Sequence, residues 1–173
     1  MPILLMPTYC FGLLSDLYGR CLAGLAALSS VRLRVEDDHL KSVIDDYTSV
    51  TRAQLQRLHD LATANGQELT TPDQSMTLGE LRHVAREVAR GLLSQQIDAA
   101  ATTCLHRMAT AKLDLYREGG HWFNAADEPD ARGVMLAGEA EETALVDSLA
   151  TLQRQTVFRL PAENGQKILS SAF

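Results

Sequence analysis

Between residues 35 and 64, apolar side chains recur in alternating steps of three and four. Leu40, Val43, Tyr47, Val50, Leu58 and Leu61 take six of seven such places, with Gln54 the exception. Ile44, Leu55 and Ala62 widen the stripe, while Asp38, Asp45 and Arg52 fall on the opposite side. A period near 3.6 with one apolar face is the pattern of an amphipathic helix that must bury that face against another element. Asn65-Gly66 supplies a stop. A helix of this length cannot lie alone, so the remainder of the chain has to provide the surface that covers it.

The remainder carries the same period. Thr8 is placed as an N-cap after Pro2 and Pro7, and Leu13, Leu14, Leu17, Cys21, Leu25 and Leu28 follow at helical spacing. Residues 65–76 hold Gly66, Thr70, Thr71, Pro72, Asp73 and Ser75, a loop. Thr77-Leu78-Gly79-Glu80 makes a capping box, and helical patterning then persists without proline to Glu118. In this very long helix (about 77–118) the apolar face drifts. Leu81, Ala85, Val88 and Leu92 define one half, and Leu93, Ile97, Ala101, Cys104, Met108, Ala111 and Leu115 the other. The drift implies a kink near residues 91–94 or different partners for the two halves. Gly119-Gly120 is read as its end, residues up to Gly133 as a loop, and about 135–158 as the last helix, stopped by Pro161.

Strand patterning is confined to Val31-Arg32-Leu33-Arg34-Val35. Aromatics make up 5% of the chain, and alanine and leucine dominate its 46% hydrophobic content, a balance suited to packed helices. The expected architecture is all-α: a single domain over residues 1–173, folded as an antiparallel helical bundle of four to five helices.

A net charge of −6 without a basic tract argues against nucleic acid and against an anionic membrane surface. Cys10, Cys21 and Cys104 are odd in number and lack CxxC spacing; Cys10 and Cys21 would lie about 16 Å apart along one helix, too far to bond. Three reduced thiols suit a cytoplasmic location. Asp16 and Arg20 interrupt the apolar stretch of residues 1–29 and read as an i, i+4 surface pair on a helix rather than part of a membrane span, with a cleaved signal ending near Ala27-Leu28-Ser29 as the alternative.

Two Glu-x-x-His pairs are the sharpest chemical pattern: Glu36 with His39, and Glu80 with His83. Residues i and i+3 share a helix face, and paired Glu-x-x-His motifs are how carboxylate helical bundles hold metal ions. Glu36 and His39 precede Leu40 and Val43 on the apolar stripe. Both pairs open helices, however, where acidic residues also serve the macrodipole. Arg82, Arg86 and Arg90 form an i, i+4 row able to clamp an anion or to pair with acids on another helix. His121-Trp122-Phe123 contains the single tryptophan and is read as a plug closing one end of the bundle, with a partner-binding tip as the alternative. No GxSxG, GxxxxGK[ST] or GxGxxG is present, which points away from an enzyme.

The function expected from these features is a non-catalytic bundle acting through protein–protein contact, as a regulator, adaptor or accessory factor. It would have no cofactor and would self-associate as a homodimer that covers the second face of the long helix. The alternative is a ferritin-like or related bundle holding a divalent transition metal at Glu36, His39, Glu80 and His83. A third reading is a binder of small apolar ligands.

Overall fold

The computed structural model describes residues 8–69 and 94–159. Among them lie four helices and no strand: α1 (Thr8–Arg32), α2 (Asp38–Ala64), α3 (Ser94–Ala125) and α4 (Pro129–Arg159). The chain is an all-α bundle, as its period requires. By length and composition Tyr9–Arg32 could cross a membrane, but 56% of its apolar window is buried inside this bundle, where those side chains form core.

Each helix buries a row in alternating steps of four and three. In α1 the row is Cys10, Leu14, Leu17, Cys21, Gly24 and Leu28; in α2, Leu40, Ile44, Tyr47, Thr51, Gln54, Leu58 and Leu61. In α3 it is Asp98, Thr102, Leu105, Ala109, Lys112, Tyr116, Gly119 and Phe123; in α4, Ala131, Met135, Gly138, Glu142, Leu145, Leu149 and Leu152. Four such rows facing inward give knobs-into-holes packing around one core. Two apolar clusters fill its ends. One gathers Leu14, Leu17, Leu58, Phe123 and Met135; the other gathers Leu28, Ile44, Leu105 and Leu149.

The connectivity follows from which ends meet. The Glu36 and Asp37 amides donate to the Asp98 carboxylate at 3.0 and 3.1 Å, so α3 starts beside the α1–α2 turn. The ring of Tyr9, at the start of α1, lies 4.7 Å from that of Trp122 near the end of α3. Neighbouring helices are thus antiparallel, while α2 and α3 run the same way. The order is up, down, down, up, and the link between α2 and α3 joins opposite ends of the bundle. This is a bundle with one long crossover connection.

Local chemistry sets the boundaries, and some differ from expectation. The second helix begins at Asp38 rather than Val35, because the Asp37 side chain caps it by accepting from the Leu40 amide at 2.9 Å. It ends as expected. Gly66 adopts φ +67°, and the Gln67 and Gly66 amides reach back to the carbonyls of Ala62 and Thr63 at 3.0 and 2.9 Å, a Schellman motif.

Gly119-Gly120 does not end the third helix, which continues to Ala125. A Cβ at Gly119 would come within 2.5 Å of Met135 Sδ and 3.0 Å of Leu13, so this glycine admits close helix contact instead of terminating a helix. The real end is a second Schellman motif in which Asp127 takes the left-handed position at φ 57° and the Glu128 amide bonds the Phe123 carbonyl at 3.0 Å. Pro129 then occupies the first turn of α4, where its missing N–H costs nothing. The expected loop up to Gly133 therefore shrinks to residues 126–128. Of the very long helix, the part from Ser94 to Glu118 is helical. Its first half, with Leu81, Ala85, Val88 and Leu92, lies outside the described residues, as do most of the expected kink region and Pro161.

Gly138 marks the tightest helix contact. A Cβ there would meet the buried Tyr116 ring at 2.2–2.5 Å. Gly138→Ala gains about 1 kcal/mol of helix propensity but overpacks a filled site, which costs roughly 1–3 kcal/mol. A net loss is expected, read as a lower midpoint of urea unfolding; a raised midpoint would show that the Tyr116 ring yields freely.

Candidate functional site

Halfway along the bundle the inward rows turn polar together. Cys21 of α1, Thr51 and Gln54 of α2, Lys112 of α3 and Glu142 of α4 are all buried, with Lys112 2% and Glu142 0% exposed. The row spacing brings them to one level, since each is the residue its helix presents at mid-height.

Their hydrogen bonds are complementary. The Lys112 ammonium donates to Glu142 Oε1 at 2.6 Å, to Gln54 Oε1 at 2.7 Å and, longer, to Thr51 Oγ1 at 3.4 Å. It lies 5.0 Å from the centre of the Tyr47 ring. The Gln54 amide nitrogen donates to Glu142 Oε1 at 2.9 Å and to Glu141 Oε2 at 3.2 Å, and its oxygen also accepts from the Cys21 thiol at 3.8 Å. The Tyr47 hydroxyl donates to Glu142 Oε2 at 3.3 Å. Glu141, nearer the rim, is gripped by Arg57. All three ammonium protons and both carboxylate oxygens are used. The layer is least well satisfied at the Tyr116 hydroxyl and Arg57 Nε, which are buried without a hydrogen-bond partner.

Burial governs the titrating groups. It raises the Cys21 thiol above its ordinary range, with the nearby Lys112 charge opposing. It raises the Tyr47 hydroxyl far above its usual value, helped by the Glu142 charge, and raises Tyr116 likewise, with Cys21 and Glu142 adding to the effect. Folding therefore keeps both phenols protonated. That contribution is complete below the ordinary tyrosine pKa of about 10 and is lost as pH climbs above it. Of the four tyrosines, absorbance at 295 nm should show two, Tyr47 and Tyr116, ionising only as helical circular dichroism disappears; ionisation of all four within an intact helical spectrum would contradict a closed centre.

The residues singled out by sequence lie elsewhere. Glu36 and His39 are both exposed, not on the buried stripe. Glu36 precedes the helix, and with Leu40 and Ile44 inward the phase of α2 turns His39 to solvent. Glu80, His83, Arg82, Arg86 and Arg90 fall outside the described residues. The His121-Trp122-Phe123 run divides. It sits within the last turns of α3, with Phe123 0% exposed as a plug while His121 is exposed and Trp122 is 47% exposed. Trp122 is tilted at 53° against Tyr9, which is 52% exposed and bonds Glu118. Among the described residues no group of three His, Cys, Asp or Glu side chains is placed to hold a metal ion. A groove of about 470 Å³ opens beside the end of α2, lined by Tyr18, His59, Thr63, Gln67 and Glu68 among others. Ala62, Gly66 and Leu69 complete a lining that mixes polar and apolar groups.

The Lys112 layer itself was missed. The one signal was Gln54, the interruption of the α2 stripe, which is 1% exposed and takes a core position.

No protein-family model matches the chain, and no curated protein matches it in sequence. Solved structures do match. The fold is shared. The E. coli stress protein YciF superposes with a TM-score of 0.80 at 15% identity, over 90% of this chain and 100% of that one. YcfI of Rhodopseudomonas palustris, provisionally described as a structural protein, superposes with a TM-score of 0.78 at 17% identity, over 83% of this chain and 91% of that one. At such identities YciF and YcfI share the helical-bundle architecture with this chain, and the comparison extends no further than that.

Proposed function

We propose that this chain is a non-catalytic helical bundle that acts by contact with another protein, a second copy of itself first among them. The observation that carries this reading is the aromatic pair at one end of the bundle. Trp122 and Tyr9 stand about half exposed while Phe123, next in sequence, is buried. Tryptophan is enriched in interface hot spots, and a half-exposed indole held against a tilted tyrosine ring is a preformed anchor. Exposed Asp127 and Asp130 close by favour a basic partner surface. The polar layer supports the negative half of the proposal, because its ammonium, carboxylate and amide already bond one another.

Ile97, Cys104, Met108, Ala111 and Leu115 are half-buried, and Met108 and Leu115 pack onto the chain's own core clusters. The aromatic end, rather than a bare helix face, is the surface that a second copy would cover. All three cysteines lack a disulfide, in keeping with the reducing cytoplasm proposed for this protein.

Light scattering at tens of micromolar tests this. Wild type should run at twice the chain mass, and Trp122→Ala should shift it toward the monomer. A monomeric wild type would remove self-association, and a dimer indifferent to Trp122→Ala would place the interface elsewhere.

A further inference from the structure

Bundles with one long crossover commonly hold metal ions at their centre, through a lone carboxylate on each of two helices and a Glu-x-x-His pair on each of the other two. The mid-height layer of this chain has that arrangement of positions with different occupants. The lone inward positions are Cys21 of α1 and Lys112 of α3, and the i, i+3 positions are Gln54 with Arg57 on α2 and Glu142 with Leu145 on α4. Of the six side chains only Glu142 is a carboxylate, none is a histidine, and two are cations. The donor set does not fit a metal centre.

We propose that Lys112 is the resident cation of the bundle: its ammonium stands where a metal would lie, and the cage around it is a cation site filled by the chain itself. The coordination is that of a bound cation. Glu142 supplies the counter-charge at 2.6 Å, Gln54 and Thr51 supply neutral oxygens at 2.7 and 3.4 Å, and the Tyr47 ring closes one side. Gln54 orients the cage, since its amide nitrogen is held by Glu142 and Glu141 while its oxygen faces the ammonium. An ordinary core lysine would instead carry its head group to solvent. Having its own cation, the layer needs none from outside, so this inference stands whether or not the chain self-associates.

The test truncates the tether and returns the cation. Lys112→Ala leaves the cage and a void shaped for n-propylammonium. Its melting temperature should fall by roughly 10 °C or more, as when one partner of a buried pair is removed. Added n-propylammonium chloride should recover at least about half of that loss, because it binds the folded state alone. Equal sodium chloride or neutral n-propanol should not, and Lys112→Ala/Glu142→Gln should gain nothing from the ammonium. Recovery equal with propanol, or recovery persisting without Glu142, would overturn the proposal, as would a Lys112→Ala protein that melts with wild type. Should Lys112→Ala stay unfolded in every salt, lysine-selective NMR of the unaltered chain decides. The chain has three lysines, Lys41, Lys112 and Lys167. One Nζ signal, with slow proton exchange and contact to the Tyr47 ring, is expected; three freely exchanging signals would refute the cage.

Discussion

Glu142→Leu should destabilise the bundle by about 3–5 kcal/mol, because it strands the Lys112 ammonium in a dry interior while removing the partner of Tyr47 and Gln54. A charge left alone costs far more than the pair contributes, so Lys112→Met/Glu142→Leu should recover at least half of the loss even though it deletes both charges. Urea unfolding of both single variants and the double closes the cycle, and the non-additive remainder measures the coupling. Additive losses would mean that the two groups do not share one buried network.

The second large effect separates neighbours in sequence. Phe123 is fully buried among Leu14, Leu58 and Met135, and Phe123→Ala should cost about 3–5 kcal/mol. Trp122→Ala should cost only about 0.5–1.5 kcal/mol, the worth of its ring contact with Tyr9. Acrylamide should quench Trp122 readily in any protein that is monomeric, with protection appearing as chains associate. Losses of equal size would contradict the division of this run into a plug and a surface anchor.

The fold was legible because its period is. The α2 stripe, the α1 row and the Asn65-Gly66 stop all follow from local patterns that tertiary structure did not override. The errors share a cause: tertiary contacts replaced the local meaning of a residue. Gly119 looks like a helix terminator, yet the approach of Met135 and Leu13 demands it mid-helix. Asp127, with no glycine to announce it, takes the left-handed cap that ends α3.

In α3 the core row holds Asp98, Thr102 and Lys112, so apolar periodicity selected the adjacent row through Ile97, Cys104, Met108 and Leu115, which is only half-buried. Asp98 and Lys112 belong inside because their partners come from elsewhere, while Thr102 bonds the Asp98 carbonyl of its own helix. Asp98 receives two amides from the α1–α2 turn, and Lys112 meets Gln54 and Glu142 from two other helices. No spacing within one helix encodes such a pairing. Glu36 and His39 show the opposite case, since their spacing is right but they sit before and outside the buried phase of α2.

As proposed, this protein works at its surface, around a centre occupied by its own Lys112. Size-exclusion chromatography of chelator-free protein, with elemental detection of iron, manganese and zinc across the peak, tests it most directly. A metal-to-chain ratio well below one is expected throughout the peak, unchanged in Glu36→Ala and His39→Ala. One or two metal ions per chain co-eluting with wild type, and lost on Glu142→Gln, would contradict it.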